Sequence, residues 1–352
     1  MQKIICGIQQ IGIGVENYQE AWKWYRENFG MDICIFDDAA VAGLMLPYTG
    51  GRPWERHAVL AMNMQSGGGF EVWQYTERRP IPADFEVLLG DTGIYITKIK
   101  SYNVKETYNL FKSRNLNLLT EVKENPAGTE HFFVKDPYNN IFEVISDDYC
   151  FKNENKLTGG VFGCVIGVTD IDKAKKLYSD ILGYDEVVYD VETKFEDFVG
   201  IPGGNETFRR TLLKHKSLRQ GAFSKLLGPT QIELVKVNTR EPKKIFENRF
   251  WGDQGFIHLC FDIRGMKELK EECETNGFPF VADSASSFDM GQAAGHFSYI
   301  EDPDGTLIEF VETHKLPIFK KIGWYFNLNN RSQTKPLPNW MVKTLAFNRV
   351  KD

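Results

Sequence analysis

Apolar positions along this chain follow two rhythms that alternate in a fixed order. Residues 8–15 show the every-other-residue pattern of a strand. After Glu16-Asn17, residues 18–25 switch to the spacing of an amphipathic helix, which is expected to stop near Gly30. Strand-like segments over 31–36, 58–64 and 70–75 complete a βαβββ unit. The order returns with strand 93–99, helix 104–114 and closing strand 141–144. It returns again with strand 162–168, helix 171–182 ending at Gly183, and strand 231–235. The last copy has strand 256–263, helix 266–276 ending at Gly277, and strand 307–311. A glycine past a helix end accepts the left-handed conformation that closes the last turn.

The two halves of the chain repeat one another as well. Gly90-Asp91-Thr92-Gly93 leads into the second unit and Gly252-Asp253-Gln254-Gly255 into the fourth, and both units reach an Asp-Pro turn before their last strand, at Asp136-Pro137 and Asp302-Pro303. The pattern predicts an α+β protein of four βαβββ modules forming two cupped mixed β-sheets. Modules one and two occupy 1–150, modules three and four 151–314, and 315–352 form a tail with a short helical pattern at 340–347.

Setting the modules in register exposes a recurring chemistry. One inward position on the four first strands carries Gln10, Ile96, Gly163 and His258, and one position on the four last strands carries Glu71, Glu143, Glu233 and Glu309. The separations of 61, 47, 70 and 51 residues alternate long and short, as a duplicated pair of modules requires. A carboxylate flanked by Ile, Leu, Val or Phe in a strand either faces solvent or, if it faces inward, needs a counter-charge, because a buried unpaired carboxylate is expensive. A metal ion is one such counter-charge.

Paired βαβββ units with His or Gln on the first strand and Glu on the last resemble the vicinal oxygen chelate superfamily, which includes glyoxalase I, methylmalonyl-CoA epimerase, extradiol dioxygenases and bleomycin-resistance proteins. The resemblance spans roughly 4–312 and implies the glyoxalase/bleomycin-resistance/dihydroxybiphenyl dioxygenase fold. It also implies a divalent metal ion (Zn, Ni, Co, Mn or Fe) inside one cup. If the first module pairs with the fourth, the ligands are Gln10, Glu71, His258 and Glu309, with Glu309 or Glu71 as the base that moves a proton beside a carbonyl. That set implies a glyoxalase-like isomerase, epimerase or lyase acting through a metal-stabilised enediolate. If the third pairs with the fourth, the ligands are Glu233, His258 and Glu309, the set of a ring-cleaving or 4-hydroxyphenylpyruvate-type iron dioxygenase short of one His. A metal-free cup of the bleomycin-resistance type, holding a small molecule without turnover, is the third alternative.

One departure narrows the activity. Glyoxalase I places an Arg for glutathione just before the valine that ends its first strand; here Gly14 precedes Val15 and, in the fourth module, Asp262 precedes Ile263. Neither can hold a glutathione carboxylate. Of the remaining histidines, His57 is expected in a loop or at the cup mouth, His131 and His296 in structural roles, and His215 and His314 on the surface. Arg78-Arg79 either contacts an anionic substrate or solvates a linker. Gly12-x-Gly14 lacks the third glycine of a dinucleotide loop.

Composition adds exclusions. With 42 basic and 48 acidic residues, a net charge of −6 and no basic stripe, the chain offers no footprint for nucleic acid or an anionic membrane. Six scattered cysteines without a CxxC pair read as reduced thiols, and no apolar run approaches a membrane span. The expectation is a cytoplasmic monomer or homodimer whose partner is a small-molecule substrate.

Overall fold

The computed structural model describes residues 2–284, 288–289, 294–319, 324–328 and 331–351. Module one comprises β1 (Ile4–Gly14), α1 (Tyr18–Phe29), β2 (Ile33–Ala42), β3 (Trp54–Met62) and β4 (Gly69–Tyr75). Module two comprises β5 (Gly93–Ser101), α2 (Val104–Ser113), β6 (Asn117–Leu118), β7 (Lys123–Glu124), β8 (Glu130–Lys135) and β9 (Ile141–Ser146). Module three comprises β10 (Thr158–Gly167), α3 (Ile171–Lys175) running into a π-helical turn, β11 (Glu186–Thr193), β12 (Phe208–Lys214), the short helix α4 (Ser224–Leu227) and β13 (Gln231–Val237). Module four comprises β14 (Gly255–Arg264), α5 (Met266–Thr275), β15 (Ala282–Asp283), β16 (Phe288–Asp289), β17 (Ala294–Glu301) and β18 (Leu307–Thr313). The tail adds the hairpin β19 (Lys315–Phe319) and β20 (Trp324–Asn327), then α6 (Asn339–Lys343).

Local chemistry explains where the helices start and stop. The side chains of Asn17, Asn103 and Asp170 cap α1, α2 and α3 by accepting from backbone N–H groups of the first turn. Gly265 opens α5 with no cap of its own, and the Glu312 carboxylate from β18 accepts from the Gly265 and Met266 N–H groups instead. The helical stretches end on left-handed residues: Gly30, Gly183 and Gly277, with Asn115 taking that conformation after α2.

Two nine-stranded sheets result, and each takes one module from either half of the chain. Modules one and four share the order β15-β17-β18-β14-β1-β4-β3-β2, and modules two and three share β11-β12-β13-β10-β5-β9-β8-β6. The seams β1–β14 and β10–β5 are antiparallel, whereas each module's last strand runs parallel to its first. Helix α1 joins the sheets: Tyr25 packs on Phe70 of one at 5.0 Å and on Phe142 of the other at 5.8 Å. Trp22 and Tyr25 are buried in this core. The tail packs back over module one, where Arg349 pairs with Asp32 and Glu154 and the Val350 N–H donates to the Asp32 carbonyl.

The Asp-Pro turns play the same part twice. Tyr25 of module one donates its hydroxyl to Asp136 of module two at 2.6 Å, and Tyr178 of module three donates to Asp302 of module four at 2.9 Å. Both carboxyls also accept two backbone N–H groups of their own turn. Burial nevertheless pushes each up to about 6, against these hydrogen bonds.

Replacing Tyr178 by Phe is therefore expected to destabilise the protein by about 1–3 kcal/mol in urea unfolding at pH 8, because a buried ionised carboxylate loses its donor. The penalty should shrink at pH 5, below the folded-state pKa, where Asp302 carries its own proton. Tyr25→Phe should behave alike.

Candidate metal centre

The β1–β14 seam sets Gly12 opposite His258 and Gln10 opposite Cys260. On either side, β4 runs parallel to β1 and β18 parallel to β14, bringing Glu71 beside Gly12 and Glu309 beside Cys260. Gln10, Glu71, His258 and Glu309 consequently converge on the floor of one cup. His258 Nε2 lies 3.2 Å from Glu71 Oε2 and 3.2 Å from Glu309 Oε2. The Gln10 amide nitrogen stands 3.2 Å and 3.3 Å from the same two oxygens.

Gly12 makes this approach possible. A Cβ at that position would stand 2.4 Å from Cε1 of His258, so any side chain would displace the imidazole. Trp251 stacks on the ring with centroids 6.1 Å apart, and Tyr299 meets it edge-on at 5.6 Å. Tyr299 on β17 and Cys260 on β14 are the cross-strand neighbours of Glu309, and the Cys260 thiol donates to Gln9 Oε1 at 3.8 Å.

The electrostatics show a site short of positive charge. Burial disfavours the His258 imidazolium, yet the Glu309 and Glu71 carboxylates outweigh it and hold the imidazole above its ordinary value. Burial also raises Glu309, relieved by His258 and reinforced by Glu71. Neither ring nitrogen of His258 meets hydrogen-bond geometry, and Gln10 Oε1 is buried without a partner. Such atoms call for an explanation, an ion among them. Donors about 2.0–2.2 Å from one ion lie roughly 3 Å apart when adjacent, close to the spacings seen here. Because amide oxygen and nitrogen are interchangeable in shape, a flip of Gln10 turns its oxygen toward the gap between the carboxylates. The residues present fit a divalent cation with N/O donors.

The other cup is built differently. The equivalent positions hold Ile96, Gly163, Glu143 and Glu233, and a Cβ on Gly163 would collide with the Gln231 carbonyl oxygen at 1.8 Å. Lys98, two residues beyond Ile96 and opposite Glu143 on β9, puts its ammonium between Glu143 and Glu233, 2.7 Å from the latter. Arg210 bridges Glu233 and Asp197, Tyr189 donates to Glu233 at 2.7 Å, and His131 stands 2.8 Å from Glu143 and 3.4 Å from Asp197. Three carboxylates thus face Lys98, Arg210 and His131. Burial opposes every charge in the cluster, but the partners prevail, lowering Glu143, Glu233 and Asp197 and raising Lys98 and His131.

This placement corrects several expectations. The trio Glu233, His258 and Glu309 does not assemble, since Glu233 lies in the other sheet and is held by Arg210, Lys98 and Tyr189. His57 belongs to β3, stacked on Tyr18 and paired with Asp37. Arg78 binds the buried Asp253 at 2.6 Å and Arg79 pairs with Glu16, so both arginines have partners within the fold. At Gly14 a Cβ would meet the Asp253 carbonyl oxygen at 1.9 Å, so no side chain of any kind fits there. Asp262 is wholly buried and pushed up to about 7 by burial, with Arg264 opposing. Lys98, Tyr189, Asp197 and Arg210 were missed by sequence reasoning. The available signal was Lys98 itself, a cation between Thr97 and Ile99 in a strand that opens on Ile94, Tyr95 and Ile96.

Removing the ammonium leaves two buried carboxylates facing one another, so Lys98→Met should lower stability by about 3–5 kcal/mol in denaturant unfolding. His131, faced by Glu143 on β9, by Asp197 and, through those carboxylates, by Lys98 and Arg210, carries a folded-state pKa above its unfolded value. Its contribution is full below about pH 6.5 and lost as pH rises through the folded-state pKa. Wild-type stability should therefore fall above neutrality more steeply than that of His131→Gln, as read from unfolding free energies across pH 6–9.

A family model described as the Glyoxalase/Bleomycin resistance protein/Dioxygenase superfamily matches residues 7–144 and 161–310. Among solved structures, a putative dioxygenase from Bacillus subtilis is similar with a TM-score of 0.58 at 13% identity, covering 88% of this chain and 86% of that one. A glyoxalase I mutant from Zea mays gives 0.55 at 12% identity, covering 88% and 94%. Glyoxalase I from Zea mays gives 0.51 at 14% identity, covering 88% and 92%. No curated protein matches. At these identities the structural likenesses concern the fold, while the family model extends over most of the chain in two consecutive stretches, each with its own pair of βαβββ modules. The chain belongs to the Glyoxalase/Bleomycin resistance protein/Dioxygenase superfamily.

Proposed function

We propose that the protein is a metal-dependent enzyme that shifts a proton on a carbon next to a carbonyl, as a glyoxalase-like isomerase, epimerase or lyase. The observation that carries this reading is the convergence of Gln10, Glu71, His258 and Glu309 around a gap bordered by buried polar atoms without partners. A divalent ion bound there supplies Lewis-acid stabilisation of negative charge on the substrate's oxygens.

The chain's own residues do the rest. Gln10 and His258, from the two seam strands, would hold such an ion together with Glu71 and Glu309. Glu309 is the better placed base: it is almost fully buried at the cup floor, and burial raises its carboxyl above the ordinary range. A positioned carboxylate that takes a proton from one substrate carbon can return it to the neighbouring carbon on the same face, whereas inversion at the original carbon needs a second group on the other face, for which Glu71 is the candidate. Trp251 and Tyr299 keep His258 from rotating and line the cup against water. The donor set has one imidazole and two carboxylates, which argues against the two-His iron sites of oxygenases. Among the described residues no helix is long and apolar enough to cross a membrane.

Titration calorimetry with Mn2+ or Zn2+ should give one ion per chain. His258→Ala and Glu71→Ala should weaken binding at least about 100-fold, while Glu233→Ala should leave the affinity of folded protein unchanged. The loaded enzyme should exchange the α-proton of a hydroxyketone for solvent deuterium, followed by NMR, and Glu309→Gln should slow that exchange at least about 100-fold. Absence of stoichiometric binding, or full exchange in Glu309→Gln, contradicts the proposal.

A further inference from the structure

We propose that the cup above these four residues takes a neutral, predominantly hydrophobic molecule whose oxygen atoms lie only at the end that reaches the floor. This deepens the reading above, which supplies the ion at the floor; the argument for the rest of the molecule stands on the walls. The cavity measures about 590 Å³, within the range of sites that enclose a small organic ligand. Its polar floor is Gln10, Glu71 and Glu309. Above it most of the described lining is apolar, with Phe36 and Leu60 from β2 and β3, Trp73 from β4 and Phe297 from β17, and with Gln9, Thr313, Asn348 and the Arg56–Asp38 pair as its polar members.

Two further walls come from outside the sheet that builds the floor. Phe223 and Leu226, at α4 of module three, and Leu345, from the tail, complete the enclosure. The cup is thus narrowed by elements outside modules one and four, which present Phe223, Leu226, Leu227 and Leu345 together with the one amide of Asn348.

Charge decides between neutral and ionised ligands. Among the described residues lining the cavity the cation is Arg56, and its guanidinium donates to the carbonyl oxygen of Asp38 at 2.7 Å and to its carboxylate at 3.1 Å. In the metal-free protein an anionic ligand would therefore find no unpaired cation among the described wall residues and would face the carboxylates of Glu71 and Glu309. A cationic ligand would compete for those same carboxylates with any ion at the floor. A neutral hydrophobic body avoids both conflicts and removes apolar surface from water as it enters. The rim fits such a ligand: Val41 and Leu44 are 60% and 46% exposed at the entrance.

The test uses the full chain, metal-free and Mn2+-loaded, with the neutral fluorophore N-phenyl-1-naphthylamine as probe. Its fluorescence should rise on binding to both forms. On the metal-free form, benzoin, a neutral hydroxyketone, should displace it at least ten times more effectively than benzilate, an anion of similar size, or glutathione. Phe36→Gln should weaken probe binding about tenfold. The exposed rim variant Val41→Gln, which leaves the core untouched, should weaken it about threefold. Mn2+ should strengthen benzoin binding without changing that of the fluorophore. If both neutral compounds bind but Mn2+ adds nothing, the cup proposal stands and the metal reading fails. If the fluorophore does not bind, or benzilate competes as well as benzoin on the metal-free form, the proposal is overturned whether or not Mn2+ binds.

Discussion

The antiparallel pairing of β1 with β14 is the constraint on which the candidate site depends. It joins strands some 250 residues apart, with Gly12 set against His258 and Gln10 against Cys260. Because each closing strand runs parallel to its own opening strand, this one register also fixes Glu71 and Glu309. A shift by one residue would turn Gln10 or His258 to the opposite face. A side chain at position 12 would push the imidazole from its place. The geometry of the four residues is thus a property of the seam, and neither half of the chain contains it alone.

The second seam, β10 with β5, shows the same architecture with a different solution to the same electrostatic problem. Both cups carry a pair of inward glutamates at equivalent positions. In one, the pair faces a single imidazole and the Gln10 amide, with no Lys or Arg on either carboxylate among the described residues. In the other, Lys98 and Arg210 lie directly on the carboxylates, and His131 completes a balanced cluster. A buried cluster of this kind tends to fix geometry more than it adds stability, since the desolvation of each ion offsets much of the attraction.

Much of this was legible in the chain. The fourfold order of strand, helix and strands was visible because each module repeats its hydrophobic rhythm. Gln10, Ile96, Gly163 and His258 occupy equivalent register positions, two residues before the partner of each closing glutamate. The pairing of modules was less legible, because the apolar face of a first strand suits either neighbour. A physical clue lay in the connections: 76–92 and 238–254 cross between sheets, whereas the shorter 147–157 stays within one. Lys98 and Arg210 escaped notice because cations on a strand, here beside Lys100 on β5 and Arg209 on β12, ordinarily mark a solvated face. Here Glu143 and Glu233 on Lys98, and Glu233 and Asp197 on Arg210, make both core residues, and those pairings exist only in three dimensions. Gly14 illustrates the converse. Its lack of a side chain follows from the close approach of the Asp253 carbonyl, a steric demand that sequence alone does not reveal.

Anomalous diffraction from crystals soaked in Mn2+ addresses the central claim most directly, because it locates the ion without assuming a substrate. The account predicts one strong peak per chain, on the seam between β1 and β14 and among Gln10, Glu71, His258 and Glu309, with none beside Lys98. A peak between Glu143 and Glu233, or none among the four seam residues, would contradict it.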